Sequence, residues 1–406
     1  MDIFRRCDNK NDCHDGSDEK DCKILRVPAS YDYSIPPESE EGKKVNNDIF
    51  THVDIINVDE VNTVDMMVAL TIRLTFKWKD HRVEFLDVKN SKKDRLTKVI
   101  PNREKGILWT PLNELVHDNA VIGRIKEVDF YNLGVRVEND ALVMDSSFPT
   151  ETLVYPGKEN PLIISQRMKI SYQCKFSLVT FPFDSSICDF HLSLRTAGNI
   201  SIRLTNDETS IVYNGSKTLN EFEIGTYWSR TSHSETKTTF TYSIQFHRLY
   251  EHHLSTTFFQ SFILWVLAYV TIFIKLDDFS NQFMGAVTAL LVLASLMSTL
   301  NGMLPKTAYF KYIDIWFNWY IGNIFMIILI HVIIDYVNEN EDDMNFLKKS
   351  NAISSISFLQ KVDASKIKCG KPGFAKKINQ IFKIALPCVN FLFICFYFTA
   401  NSRTEF

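Results

Sequence analysis

The sequence lacks the features of several common protein classes. Its 406 residues carry a formal net charge of only -3, which argues against nucleic acid as a partner. It shows no nucleophile with a matching base and no closed set of metal ligands, so we expect no enzyme. The opening residues MDIFRR contain no apolar core long enough for a secretory signal, and we expect that the N-terminus is truncated.

Long apolar runs are present only in the C-terminal part. About 20 apolar residues are enough to cross a bilayer as a helix. The sequence therefore predicts a transmembrane domain over 251–400 with helices near 254–274, 283–304, 313–334 and 382–400. In the connecting loop 335–381 lysines outnumber acidic residues, which is typical of the cytoplasmic face. With that loop inside, both termini are extracellular in a multi-pass plasma membrane protein.

The second apolar run, 281–304, is uncharged but has one polar stripe. Residues spaced by four and three positions share a helical face, and here they are Met284, Thr288, Leu291, Ser295, Ser298 and Gly302. Such a helix, repeated around an axis, can line a water-filled pore in which a ring of Leu291 side chains gates by dewetting. The alternative is that the hydroxyls only pack against neighbouring helices.

The region before the spans predicts β-structure. Alternating stretches at Val68–Trp78, Ile200–Leu204 and Thr238–Phe246 indicate an all-β extracellular sandwich over 49–250. Residues 23–48 are rich in proline and glutamate without apolar periodicity, and predict a linker. Asn199 and Asn214 begin glycosylation sequons, which are usable only outside the cell.

Residues 1–22 form an acidic, cysteine-containing head. The stretch CDNKNDCHDGSDEKDC resembles the second half of a low-density-lipoprotein-receptor class A module. That resemblance implies calcium as a cofactor, a Cys7–Cys22 disulfide, an unpartnered Cys13, and the calcium ligands Asp8, Asp12, Asp18 and Glu19. The alternative is an acidic, disordered tail.

Cys174 and Cys188 enclose thirteen residues with Phe181-Pro182-Phe183-Asp184 at their centre. In an extracellular sandwich a disulfide is the better interpretation than two unpaired core residues, and it would stabilise the fold by about 3 kcal/mol. With four following spans, residues 45–406 resemble a Cys-loop receptor subunit of the pentameric ligand-gated ion channel family. Matching motifs are Trp78 with Asp80, Trp109-Thr110-Pro111, and Pro305-Lys306 with Ile313-Asp314-Ile315-Trp316.

The resemblance implies a fold, partners and a transmission path. The chain would be a multi-domain membrane protein, an all-β extracellular sandwich followed by a four-helix transmembrane bundle, assembled with four sister subunits. Aligned from Pro305, Leu291 matches the family's hydrophobic gate. The gating contact would pair the loop of Asp59 and Glu60 with Arg248, and would also include Phe183, Asp184, Pro305 and Lys306. The alternative is that these are separate surface charges.

The chain departs from the family in its ligand residues. Relatives for amines and amino acids commonly use a box of aromatic rings. Here Arg73, Arg195 and His117 stand at usual aromatic positions, and only Tyr227 and Trp228 remain aromatic. Two arginines favour a small anionic ligand. The alternative is that the subunit has no working ligand site.

The predicted ion selectivity rests on the start of the pore helix. Ser280, Asn281 and Gln282 stand at the expected selectivity region, and Asp277 and Asp278 precede them. Five copies would place ten carboxylates near the entrance, which slightly favours cations over chloride. The rival functions are a non-conducting accessory subunit and an adhesion or endocytic receptor that uses the acidic head.

Overall fold

The computed structural model describes residues 13–16, 23–37, 47–86, 88, 98–100, 102–138, 143–145, 152–195, 202–234, 237–275, 278–353 and 374–402. The chain divides into two compact units. The first unit comprises Met1–Phe176 and Ser186–Phe246, and the second comprises Ser177–Ser185 and His247–Phe406.

The described residues of the first unit form β-strands, one short α-helix, α1 (Asn102–Lys105), and a 3-10 turn, Pro111–Glu114. In chain order the described strands are β1 (Leu25–Arg26), β2 (Asn47–Asn62), β3 (Met67–Trp78), β4 (Glu84–Leu86), β5 (Lys98–Val99), β6 (Leu115–His117), β7 (Ala120–Glu127), β8 (Asn132–Val135), β9 (Val143–Asp145), β10 (Thr152–Pro156), β11 (Leu162–Gln173), β12 (Ser185–Arg195), β13 (Ile202–Tyr213), β14 (Phe222–His233) and β15 (Lys237–Arg248).

These strands form three sheets. The largest has the order β13-β2-β3-β11-β8-β5, with β7 also paired to β11. Two four-stranded sheets have the orders β14-β15-β12-β6 and β1-β4-β10-β9. Alternation in β3 sends Leu74, Phe76 and Trp78 into the core, where the Trp78 ring meets Trp109 edge-on at 6.0 Å. The predicted strands at 68–78 and 238–246 are therefore present.

Part of the predicted linker 23–48 belongs to the sandwich instead. β1 pairs antiparallel with β4, and Ile24 and Leu25 are buried in the core. The Tyr31 hydroxyl donates to Asp80 Oδ2 at 3.0 Å and accepts from the Trp109 backbone N–H at 3.0 Å. The prediction failed because a two-residue strand leaves no periodicity in the sequence, and only tertiary contacts order this segment.

The described part of the second unit contains four helices long and apolar enough to cross a membrane. The first span, Glu251–Phe273, joins α2 (Glu251–His253), a π-helical turn and α3 (Phe259–Val270). The others lie in α4 (Phe279–Met303), α5 (Tyr312–Ile353) and α6 (Phe374–Ser402). All predicted spans are thus found, with ends shifted by a few residues.

The predicted loop 335–381 is shorter than expected. α5 continues to Ile353 and α6 already begins at Phe374. From Asp335 to Cys369 the sequence contains neither glycine nor proline, so nothing local stops a helix that has already been nucleated in the span.

Candidate functional site

The predicted pore stripe lies on the exposed face of α4. Met284, Thr288, Leu291, Ser295, Ser298 and Gly302 are all exposed, and Leu291 is 68% exposed. The opposite face, with Ala286, Ala289, Leu293 and Leu300, is buried. The Thr288 hydroxyl donates to the Met284 carbonyl of its own helix at 2.7 Å. The stripe is therefore open to water or to another copy, and does not pack inside its own bundle.

Gln282 does not belong to the exposed stripe, contrary to its predicted place at the pore entrance. It lies on the buried face with Ala286 and Ala289, and its amide donates to the carbonyls of Ile274 at 3.1 Å and Lys275 at 2.9 Å. The spacing of four and seven residues explains this placement. Gln282 thus ties the start of α4 to the preceding loop.

The other predicted entrance residues differ in exposure. Ser280 and Asn281 are exposed, whereas Asp278 is half-buried. The Asn281 amide donates to Asp278 Oδ2 at 2.7 Å. One carboxylate oxygen of Asp278 is therefore hydrogen-bonded within the first turn of α4. Asp277 lies outside the described residues.

Arg73 stands directly opposite another arginine on the largest sheet. Its register partner on β11 is Arg167. Directly opposed side chains share a face at about 5 Å, and like charges there are destabilising. Arg73 is 49% exposed and forms one long ion pair, 3.5 Å from Nη1 to Asp54 Oδ2. The Arg167 Nε atom is buried, and the described residues offer it no hydrogen bond. The sheet thus places two arginines directly opposite each other, with one long ion pair, from Arg73 to Asp54.

The predicted aromatic ligand residues lie on a different sheet. Tyr227 and Trp228 are on β14 and are 40% and 38% exposed, and the Tyr227 ring lies 6.1 Å from that of Tyr213. Arg195 ends β12 in the same sheet, but its side chain lies outside the described residues. The described part of one chain therefore does not gather Arg73 with these residues in one cavity.

The predicted disulfide between Cys174 and Cys188 is present, with Cα atoms 5.3 Å apart. It closes a loop whose tip, Ser177–Ser185, belongs to the second unit. In that unit the Val179 carbonyl accepts from the Tyr312 backbone N–H at 2.9 Å. The Phe183 ring lies 5.1 Å from Tyr250 and 6.2 Å from Phe258. The loop tip is thus packed against the chain at the starts of the first and third spans.

A buried ion pair fixes this loop tip. Arg248 Nε lies 2.8 Å from Asp184 Oδ1, and Nη2 lies 3.3 Å from Oδ2, with both side chains at most 2% exposed. The Arg248 backbone N–H also donates to the Asp184 carbonyl, and the guanidinium stacks 5.0 Å from the Phe181 ring. Arg248 precedes the first span directly, so the pair joins that span to the disulfide loop.

A family comparison agrees with the disulfide loop, with the β-sheets formed by strands on both sides of it in the chain, and with the four apolar helices that follow. A family model for the neurotransmitter-gated ion-channel ligand binding domain matches residues 22–264, which is more than half of the chain. The chain belongs to the neurotransmitter-gated ion-channel family. Members are ligand-gated receptors rather than enzymes, and the described part of this chain carries four helices that could cross a membrane.

Curated relatives in this family are distant. The mouse gamma-aminobutyric acid receptor subunit rho-1 is 20% identical over 352 residues, which is 80% of this chain and 66% of the relative. A Drosophila melanogaster glutamate-gated chloride channel is 22% identical over 334 residues, 79% of this chain and 67% of the relative. The human rho-2 subunit is 22% identical over 327 residues, 78% of this chain and 63% of the relative. The chain spans about two thirds of their length.

The predicted partners of Arg248 make contacts in their own sheet. Asp59 accepts from Thr71 Oγ1 at 2.7 Å and from Lys169 Nζ at 3.2 Å. Burial raises the pKa of the Asp59 carboxyl, but hydrogen bonds from Thr71, Lys169 and Asn57 outweigh it and lower the pKa. Glu60 accepts from the Asn62 amide at 3.4 Å. The pairing of Asp59 or Glu60 with Arg248 stays a prediction.

The remaining predicted gating residues follow the pore helix. Pro305 is half-buried and Lys306 is exposed, between the end of α4 and the start of α5. Lys311 and Asp314 nearby form an ion pair of 3.5 Å. Their role in transmission stays a prediction.

His117 belongs to a buried polar network rather than to an open cleft. Its Nδ1 atom lies 2.9 Å from the Tyr172 hydroxyl, which in turn accepts from the Tyr242 hydroxyl at 3.0 Å. Tyr172 and Tyr242 are fully buried. Burial lowers the pKa of His117 to about 4, against a smaller opposing effect of Asp118. His117 is therefore neutral at physiological pH and is placed to support the sandwich.

We expect His117 to make the receptor less stable in mild acid. The pKa of His117 lies near 4 in the folded state and near 6.5 in the unfolded state. The stability that the neutral imidazole contributes to the fold is therefore complete above pH 6.5 and is lost as pH falls towards 4. At pH 5 the loss of folding stability amounts to about 2 kcal/mol. Thermal unfolding of the full chain in detergent at pH 7 and pH 5 should show the loss in wild type and not in His117→Gln. An equal loss in both would contradict the assignment.

Most of the residues predicted to bind calcium or to carry glycosylation lie outside the described residues. Cys7, Asp8, Asp12, Asp18, Glu19 and Cys22 lie there, as does Asn199. Within the described part of the chain, no cluster of His, Cys, Asp or Glu has the arrangement of a metal site. Asn214 is exposed, although its amide donates to Asp54 Oδ1 at 2.6 Å.

Proposed function

We propose that this chain is a subunit of a pentameric channel at the plasma membrane, in which a ligand bound between sandwiches opens a pore along α4. The observation that carries the proposal is the exposed stripe centred on Leu291, on a helix whose opposite face is buried. A bundle that served only as an anchor would not need hydroxyl groups on its exposed face. The β-sheet unit and both termini would lie outside the cell.

The arginine pair on the largest sheet supports a carboxylate ligand. Arg73 and Arg167 are adjacent, and a carboxylate can accept hydrogen bonds from guanidinium groups in a bidentate way. The relatives are named for gamma-aminobutyric acid and glutamate, which both carry carboxylates. Tyr227 and Trp228 lie on another sheet. We infer that the ligand bridges Arg73 and Arg167 of one subunit to those aromatic rings of the next.

We expect Arg73→Ala and Arg167→Ala each to raise the half-maximal concentration of an amino-acid agonist about tenfold or more, because a hydrogen bond to a charged group contributes about 1.5–3 kcal/mol. The measurement is whole-cell current with gamma-aminobutyric acid and glutamate, in cells that express the chain behind an added signal peptide. Arg26→Ala is the matched control, since Arg26 is 42% exposed and also forms a 3.5 Å ion pair, with Glu84. An equal shift in the control would contradict the site.

We propose that the pore conducts anions. The sequence favours cations through the carboxylates of Asp277 and Asp278. However, the Asp278 carboxylate accepts a hydrogen bond from Asn281. In addition, one relative is named as a chloride channel. The reversal potential in asymmetric chloride tests the proposal: it should follow the chloride gradient, and a potential that follows sodium would restore the cation prediction.

Two further proposals accompany the channel function. The replaced aromatic box favours a role as an accessory subunit, which would conduct only when it is co-expressed with a related subunit. Calcium binding by the head rests on its acidic sequence alone. If the head acts as an adhesion module, calcium-dependent binding should occur without any current.

A further inference from the structure

A cavity lies at the edge of the largest sheet where β2 begins and β3 ends. We call it the β2–β3 cavity. Its volume is about 390 Å³, which falls within the range of sites that hold small molecules. Its walls include Asp48, Phe50, Lys77, Trp78, Lys79 and Glu138.

The cavity is separate from the arginine pair of the proposed ligand site. Phe50 on β2 stands opposite Lys77 on β3. Arg73 precedes Lys77 by four residues on the same face of β3, which corresponds to about 13 Å along a strand. Neither Arg73 nor Arg167 lines the cavity. A small molecule bound in the cavity therefore need not compete with a ligand at the arginine pair.

Two charges of opposite sign line the cavity without pairing. The antiparallel register of β2 and β3 would place Asp48 opposite Lys79 if it continued. The ladder stops, however, because β3 ends at Trp78. Both charged side chains are exposed, and among the described residues neither forms an ion pair or a side-chain hydrogen bond. The cavity thus offers one free carboxylate and one free ammonium group.

The other two charges of the cavity neutralise each other. Lys77 Nζ pairs with a carboxylate oxygen of Glu138. The Lys77 ammonium group also lies 5.9 Å from the centre of the Phe50 ring. The four charged side chains of the cavity therefore sum to zero. A ligand with a net charge would meet one attractive and one repulsive free group, whereas a zwitterion can pair each of its charges with an opposite one.

The Trp78 indole adds an unsatisfied donor at this cavity. Trp78 is 1% exposed, and its Nε1 atom is buried without a hydrogen-bond partner in the part of the chain that the structure describes. The neighbouring Trp109 differs, since its Nε1 donates to Glu114 Oε1 at 3.1 Å. An indole N–H can only donate, and leaving it unpaired is costly. A carboxylate oxygen of a ligand would supply the missing acceptor.

The Phe50 ring restricts the rest of the ligand. This ring lines the cavity and is 46% exposed. Covering exposed aromatic surface with an apolar group is favourable, because it removes both surfaces from water. A small zwitterion with an apolar side chain therefore matches both the free charges and the ring.

We propose that the β2–β3 cavity binds a free amino acid with an apolar side chain. The ammonium group of the ligand lies at Asp48, its carboxylate at Lys79 and the Trp78 N–H, and its side chain against Phe50. The inference concerns binding alone and does not depend on the proposed channel function. It can therefore be tested without a current.

The experiment is saturation-transfer NMR with L-phenylalanine and the full chain, purified in detergent from cells that express it behind an added signal peptide. We expect saturable binding with a dissociation constant on the order of 0.1–1 mM. Two analogues test the charges: 3-phenylpropionate lacks the ammonium group and phenethylamine lacks the carboxylate. Each should compete about fivefold more weakly than phenylalanine itself. No saturable binding, or equal competition by both analogues, would overturn the proposal.

Two substitutions that remove single charges make the test specific. Asp48→Asn should weaken phenylalanine binding about fivefold and should favour 3-phenylpropionate relative to phenylalanine. Lys79→Gln should weaken it to a similar extent but should favour phenethylamine. The matched controls are Asp129→Asn and Lys126→Gln, since both side chains are exposed and neither lines the cavity.

Size-exclusion chromatography verifies that each variant assembles as wild type does. Binding that Asp48→Asn and Lys79→Gln leave unchanged in a normally assembled protein would overturn the cavity site, and so would an equal loss in the controls. Arg73→Ala separates the cavity from the proposed ligand site, because phenylalanine binding should persist in this variant. If Arg73→Ala abolishes it, phenylalanine occupies the arginine site and the inference is wrong.

Discussion

Leu291→Ser should produce a current without any agonist. Leu291 is exposed at the middle of the stripe on α4, so a ring of five would present leucine side chains to the pore and exclude water. If each serine favours the wetted state by about 0.8 kcal/mol, the transfer free energy of one methylene group, five shift the balance by about 4 kcal/mol. The open-to-closed ratio would rise by roughly three orders of magnitude.

Whole-cell recording with a count of surface protein measures this effect. Val292→Ser is the matched control, because Val292 is also exposed but stands one position off the stripe. It should give no spontaneous current. Normal surface expression of Leu291→Ser without current would contradict the channel function and favour the accessory-subunit or adhesion function. Where current appears, its reversal potential identifies the ion.

Asp184→Asn should destabilise the receptor by about 3–5 kcal/mol, because it leaves the Arg248 charge buried and without its ionised partner. The asparagine has nearly the same shape, so packing of the loop tip is preserved and the loss reports charge. Thermal unfolding of the full chain in detergent, with surface expression in cells, measures the effect. Arg248→Gln should behave similarly.

Two comparisons separate this ion pair from an ordinary surface pair. Glu84→Gln breaks the exposed pair with Arg26 and should cost under about 1 kcal/mol. The double variant Asp184→Asn with Arg248→Gln should lose less stability than the sum of the single variants, because neither buried charge then remains alone. Additive losses would show that the two side chains are not energetically coupled.

Local periodicity explains what the sequence could predict. The pore stripe depends on one helix and one spacing, so the sequence alone is enough to place Leu291 on the exposed face of α4. Gln282 carries the same kind of signal, since it stands four residues before the buried Ala286. Its position at the predicted pore entrance nevertheless favours a place facing the pore lumen. The helical spacing and the position in the motif therefore give conflicting predictions for Gln282.

Contacts between distant residues explain what the sequence could not predict. Arg248 bonds Asp184, which is 64 residues earlier in the chain, and no spacing rule distinguishes that carboxylate from Asp59 or Glu60. Arg167 lies beside Arg73 only through the register of β11 and β3, which the sequence does not specify. Tyr31 falls within the predicted linker because the hydrogen bonds that hold its hydroxyl come from residues distant in the chain, which leave no local pattern in the sequence.

The division of the chain at the disulfide loop has a consequence for covalent connectivity. Because Ser177–Ser185 belongs to the second unit, the backbone passes between the units three times, after Phe176, Ser185 and Phe246. A single proteolytic cut therefore cannot release the β-sheet unit intact. A fragment that ended at Phe246 would keep the loop tip but lose Arg248, Tyr250 and Phe258, and so would carry Asp184 unpaired and Phe183 without its ring contacts.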